Sequence, residues 1–211
     1  MDSKKEDKKE HILNTAERVF AEYGYEGAST RLLAGEAGVN MAMLNYYFGS
    51  KDGLLQAVLE RRITSLRVLL EEVQRRPLPA WQRLELMIDI YIDRVLSNNS
   101  FHKLVQRELS LSHRFESASY ITENIMKNIQ VIREVILEGI EDGSFMPVDP
   151  EMTVATILGV KYYIVNSGHV TNRLLQTDMQ DAQQVEEVVK PRVKKHITAI
   201  LKAYLIKHED E

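Results

Sequence analysis

Apolar residues recur along the chain at steps of three and four, and nowhere do they alternate with polar ones over the length of a strand. Residues 10–23 place Ile12, Leu13, Ala16, Val19, Phe20 and Tyr23 on one helical face, with Gly24 as a left-handed stop. Two short helices follow at 30–37 and 41–48, separated by Gly38 and closed by Gly49. Ser50 caps a long helix reaching about residue 75, and Asp52 in its first turn complements the helix dipole. Pro77 and Pro79 break the chain before a helix over 80–97 that turns Trp81, Leu84, Ile88, Tyr91, Ile92 and Val95 inward. Shorter and longer helices are expected at 101–111 and 119–142, the second ending at Gly143. Asp149, Pro150 and Glu151 then supply a cap, a first-turn proline and a first-turn acid for a helix reaching about residue 169. A polar stretch over 171–180 precedes a last helical region at 181–208, which Pro191 kinks or restarts. The expectation is an all-α chain of about nine helices, a compact N-terminal three and a larger C-terminal set.

The segment from Gly27 to Leu55 is the specific one. Its two short helices are joined through Glu36, Ala37, Gly38 and Val39, which is the spacing of a helix-turn-helix. Ala34 is small where the helices approach, and Gly38 supplies the positive φ of a tight turn. Leu33, Val39, Leu44 and Phe48 are the apolar contacts that fix the pair against Val19 and Phe20. Asn40 is a good N-cap for the second helix. With Leu44 and Phe48 turned inward, the opposite face shows Met41, Ala42, Met43, Asn45 and Tyr46. That face is uncharged and slim enough to enter a major groove, about 12 Å wide. Lys51 opens the next helix, where a cation opposes the dipole, and a nearby phosphate makes sense of it. Thr30 and Arg31 are placed to clamp the backbone at the start of the first of the two helices.

This block resembles the N-terminal DNA-binding domain of TetR family regulators. The resemblance rests on Thr30, Leu33 and Ala34, on Ala37, Gly38 and Val39, on Tyr46, Tyr47 and Phe48, and on Lys51 followed by Leu54 and Leu55. It implies phosphate contacts at Thr30, Arg31, Tyr47 and Lys51, and groove-facing positions at Met41, Ala42, Met43 and Tyr46. Asn45 stands where the family usually has an aromatic, and its amide suits either a phosphate or an adenine edge. The family layout implies a DNA-binding domain over 8–67 and a ligand-binding and dimerisation domain over 68–211, with the last two helices pairing in a homodimer. A two-fold axis in turn demands a near-palindromic operator on double-stranded DNA.

Charge changes the picture of how DNA would be held. The chain carries 27 Lys and Arg against 31 Asp and Glu, a net −4. Residues 1–51 hold seven basic and eight acidic residues, four of the basic ones (Lys4, Lys5, Lys8, Lys9) in a charged tail. Binding would therefore lean on hydroxyls, backbone N–H groups and a few placed cations, with a shallow salt dependence. The absence of cysteine removes disulfides, thiol catalysis and thiolate metal sites. No Gly-x-Ser-x-Gly, phosphate-cradling glycine loop or His-Glu-x-x-His occurs, and no two of the six histidines stand four apart. The expectation is no enzyme, no cofactor and no metal. No apolar run is long enough to span a bilayer and none follows the N-terminal charges, so a cytoplasmic protein without a membrane partner is expected.

The C-terminal set adds two expectations. From Met152 to Val165 only Lys161 is charged, and Val154, Ile157, Leu158, Tyr162 and Val165 form a stripe with Ala155, Val160, Tyr163 and Ile164 around it. A helix apolar nearly all round is buried on both sides, one side against a second protomer. Val193, Ile197, Ile200, Leu201, Tyr204 and Leu205 repeat the pattern in the last helix. Tyr91, His102, Gln106, Tyr162 and Asn166 are polar groups near inward faces that, by the resemblance, wall an effector pocket; any one of them taken alone better suits a satisfied buried polar group, and it is the set together that suggests a pocket. The favoured reading is a dimeric transcriptional regulator, a repressor released from DNA by a small-molecule effector. The alternatives are a helical small-molecule carrier and a regulator whose pocket is vestigial.

Overall fold

The computed structural model describes the backbone of residues 2–97, 99–110 and 115–207, and the side chains of 6–97, 101–110 and 118–207. The helix ends expected at Leu111 and His208, and the side chains of Lys4 and Lys5, lie outside the described residues. Among those residues the regular structure is all helical: α1 (Asp2–Gly27), α2 (Thr30–Glu36), α3 (Met41–Phe48), α4 (Lys51–Gln74), α5 (Ala80–Ser97), α6 (Asn99–Ser110), α7 (Phe115–Glu141), α8 (Pro150–Asn166) and α9 (Gly168–Leu175). The chain closes with α10 (Ala182–Gln184), a π turn (Val185–Val189) and α11 (Lys190–Leu205), which run on without a break.

Several helix boundaries differ from expectation. α1 begins at Asp2 rather than near residue 10, because the Lys and Glu of the charged tail are good helix formers. Gly24 has the expected positive φ, 69° with ψ 176°, but the helix resumes after it. α8 stops at Asn166, and part of the stretch read as polar loop is the separate helix α9, in which Thr171 is fully buried. Pro191 stands in the first turn of α11 as a fresh start requires, but α11 runs on from the π turn rather than after a break. Without an N–H the proline cannot complete the usual ladder, and just before it the backbone widens so that Lys190 N–H reaches Val185 O.

The chain packs as two compact units, residues 1–64 with 100–124, and residues 65–99 with 125–211. In the first unit Ile12, Leu13, Ala16, Val19, Phe20, Leu33 and Leu44 are buried as expected, with Leu54, Leu55, Val58 and Leu59 beside them, whereas Tyr23 of the same expected face is 46% exposed. Glu17 is 7% exposed and is paired with Arg61 at 2.9 Å and Arg62 at 2.8 Å, which ties α1 to α4. Residues 100–124, read from sequence as part of the second domain, belong here. A methyl group on Gly24 would sit 2.4 Å from the Arg107 guanidinium, so α6 lies directly on that glycine. The second unit has one apolar core joining α5, the later part of α7, α8, the π turn and α11, with Leu70 and Val73 from the end of α4. Trp81 is half-buried against it. Beside that core Lys194 of α11 meets Asp93 of α5 at 2.8 Å and Asp89 at 3.7 Å. The nearly buried Lys190 is held by Ser97 Oγ at 2.7 Å and by Glu186.

Candidate functional site

The two short helices meet as the spacing required. Gly38 takes φ +60°, its N–H reaches Gly35 O at 3.1 Å, and Val39 N–H reaches Ala34 O at 3.0 Å. The cap at each helix start is a side chain: Ser29 Oγ accepts from Leu32 N–H at 3.1 Å, and Asn40 Oδ1 accepts from Met43 N–H at 2.8 Å. Ser29 is a cap that the sequence reading passed over, although serine two residues before Arg31 carries the signal. Ser50 caps α4 as expected, accepting from Gly53 N–H at 3.0 Å.

Leu44 is 3% exposed and points α3 into the core. Its outer face then presents Met41 at 47% exposure and Tyr46 at 71%, with Ala42 and Asn45 exposed and Met43 half-buried. Tyr46 is braced edge-on against half-buried Tyr47, ring centroids 5.2 Å apart. Large apolar side chains left in water on a small uncharged face are costly unless something covers them. Thr30 is half-buried at the start of α2, and Arg31 is exposed with no ion pair among the described residues. Arg18, by contrast, is held by Glu36 at 2.5 Å, which raises its pKa through the hydrogen bond and the nearby charge.

Lys51 needs no phosphate to explain its position. Its Nζ donates to Tyr25 O at 3.0 Å and lies 4.0 Å over the Tyr25 ring, while the Tyr25 hydroxyl donates to Asp52 Oδ2 at 2.7 Å. The lysine and its neighbour thus clamp α4 to the end of α1.

The residues read as pocket walls fall in different places. In the second unit Tyr91 of α5 is 6% exposed, and burial pushes its hydroxyl pKa up. Tyr162 does not belong to the inward stripe of α8: it is 52% exposed, and exposed Asn166 donates to its carbonyl oxygen at 2.9 Å. The inward stripe is Val154, Ile157, Ile164 and Val165, all buried, and at 100° per residue its centre falls on Lys161. His102 and Gln106 lie on α6 in the first unit, both half-buried, His102 edge-on to Phe101 at 5.4 Å. The stripe expected along the last helix also divides, with Val193, Ile197, Leu201 and Leu205 buried and Ile200 and Tyr204 exposed at 43% and 48%. Among the described residues no group of three or more acidic or histidine side chains could hold a metal ion, and no helix is long and apolar enough to cross a membrane.

A capped, glycine-cornered pair of short helices that leaves an uncharged face outward defines a helix-turn-helix DNA-binding protein. Residues 12–58 match the family pattern described as bacterial regulatory proteins, tetR family, and residues 81–193 match the tetracyclin repressor-like C-terminal domain. The chain belongs to the TetR family of transcriptional regulators. It is 24% identical over 132 residues to the fatty acid metabolism regulator protein of Bacillus subtilis, covering 63% of this chain and 68% of that one. It is also 24% identical over 143 residues to the transcriptional repressor KstR2 of Rhodococcus jostii, covering 68% and 70%. Among solved structures, the fatty acid degradation regulator FadR of Bacillus halodurans superposes with a TM-score of 0.72 at 20% identity, over 92% of this chain and 96% of that one. FadR of Bacillus subtilis, solved in complex with stearoyl-CoA, gives 0.70 at 20% identity, over 90% and 97%.

Proposed function

We propose that the chain is a homodimeric repressor that reads a near-palindromic operator through residues 8–67 and is released by a small-molecule effector held within residues 68–211. The observation that carries the reading is the outer face of α3, where Met41 and Tyr46 stand in solvent although Leu44, on the same eight-residue helix, is buried. Tyr46, Met41, Ala42, Met43 and Asn45 meet base edges, and Thr30, Arg31 and Tyr47 meet phosphates. Asn40 serves mainly as the cap that points α3, and Lys51 sets the pitch of α4 while its charge faces the backbone of the DNA.

The second copy covers the outward faces of α8 and α11. Tyr162, Tyr163, Ile200 and Tyr204 are between 43% and 52% exposed in a single chain, more apolar surface than a lone helical unit leaves in water. That a relative was solved with stearoyl-CoA supports a ligand within the C-terminal half. Of the residues read as pocket walls, Tyr91 retains that role most directly, while Tyr162 and Asn166 fit the dimer face better.

The test is selection of bound sequences from a random duplex library, with Tyr46→Ala beside the wild type. A near-palindrome with half-sites about one helical turn apart, lost with Tyr46→Ala, is the expected result. No enriched sequence at low salt would refute the regulator reading.

A further inference from the structure

Lys161 is the one charged residue between Met152 and Val165, and it occupies the centre of the buried stripe of α8. A lysine there breaks the hydrophobic pattern at the position where a leucine would pack best. The usual resolution is a salt bridge or a long stem that carries the amine back to water. No carboxylate takes that place: the side chain is half-buried, and its one contact among the described residues is the ring face of Tyr91, 5.7 Å from Nζ to the centroid. At that distance a cation–π contact is near the limit of its range and replaces little of the lost hydration. The electrostatics agree with the geometry. Burial alone pushes the Lys161 pKa down to about 8, with no acidic neighbour acting to hold it up.

Beneath the amine, Tyr91 carries a second polar group without a partner. The residue is 6% exposed, and its hydroxyl has no hydrogen bond among the described residues, although it is not one of the fully buried unpaired polar atoms and so keeps some access to solvent. Buried hydroxyls are nearly always paired. A cation with no acidic partner among the described residues thus lies over the Tyr91 ring where α5 packs on α8, with apolar side chains on both sides.

We propose that Lys161 and Tyr91 form the polar end of the effector site and take the single carboxylate of a ligand whose remainder is hydrocarbon. This rests on the reading of residues 68–211 as the effector-binding half. The ligand is a monoanion because Lys161 is the one cation on the buried stripe of α8, and Lys190 and Lys194 of α11 are already paired with acids. The inward positions of α5 (Leu84, Met87, Ile88, Ile92, Val95) carry no second positive charge to balance a phosphate dianion. The carboxylate accepts from the ammonium and from the tyrosine hydroxyl, and the hydrocarbon body meets the apolar residues around them.

Calorimetric titration of the full chain with dodecanoate, dodecan-1-ol and dodecyltrimethylammonium tests this, using the wild type, Lys161→Met and Lys161→Arg. The wild type should bind dodecanoate at least about tenfold more tightly than the alcohol, which corresponds to one charge-assisted contact, and reject the cation. Lys161→Met should lose that factor for dodecanoate and bind the alcohol unchanged, which also shows that the variant is folded. Lys161→Arg should keep the preference for the carboxylate. Equal dodecanoate affinity in wild type and Lys161→Met overturns the proposal and returns Lys161 to a stem lying along the core. Binding of the alcohol without preference for the acid overturns the anion assignment but leaves an apolar effector site. If none of the three binds, the site itself is overturned, and operator selection with the same preparation decides separately whether the DNA-reading function stands.

Discussion

Replacing Lys161 by methionine should make the protein more stable at neutral pH. Methionine has the length of the lysine stem, a similar helix propensity and no charge to dehydrate. The lysine pKa falls from 10.5 to about 8 in the folded chain through burial. At about 1.36 kcal/mol per pH unit, that is at most roughly 3.4 kcal/mol of disfavoured ammonium. The side chain is partly open to solvent, which reduces the figure to about 1–2 kcal/mol. Below pH 8 the folded and unfolded chains both carry the proton, so the cost is present in full. Between about 8 and 10.5 the unfolded chain holds the proton more tightly, and wild-type stability rises with pH relative to the variant. Above that range the two should converge to their packing difference. Urea unfolding followed by circular dichroism, at one protein concentration and at pH 7 and pH 10, measures the gap. A variant less stable than wild type at pH 7, or a gap of equal size at both pH values, would show that the amine is adequately solvated. A residue that costs stability at such a central position is most simply retained for what it binds.

Gly24→Ala should lower stability by about 1–2 kcal/mol, because φ +69° strains an L-residue and the new methyl group displaces the Arg107 guanidinium. Thermal unfolding should show it as a loss of roughly 2–8 °C, and an unchanged midpoint would mean that α1 and α6 relax apart freely. Ile200→Asp combined with Tyr204→Asp should give one chain mass, 24.3 kDa, by light scattering where the wild type gives twice that; a persisting dimer would place the interface elsewhere. Operator affinity should fall with salt less steeply than release of eight counterions requires, since Arg18 is already held by Glu36. A steeper slope would point to Lys8 and Lys9 on the backbone of the DNA.

The helix-turn-helix was legible because its signals are local. Gly38, Asn40 and Leu44 each act within four or five residues, so spacing alone places them. The structural role of Lys51 was hidden for the opposite reason: its partner is Tyr25, 26 residues earlier, and nothing at the start of α4 announces it. On α8 the apolar count took Tyr162 inward because an aromatic looks like core. The angular mean of Val154, Ile157, Ile164 and Val165 points instead at the lysine that the count had set aside as an exception. α9 escaped notice because Thr171, the residue it buries completely, is polar and sits in a run of polar neighbours.

The inclusion of residues 100–124 in the first unit bears on how such a protein could be taken apart. A fragment cut after residue 64 would leave Gly24 without the α6 segment packed on it, and a chimera joined there would inherit a foreign α6. The compact unit that carries the helix-turn-helix is therefore drawn from two stretches of chain: moving that unit intact into another scaffold requires two grafts, and a drift of sequence at Arg107 is constrained by Gly24 of α1.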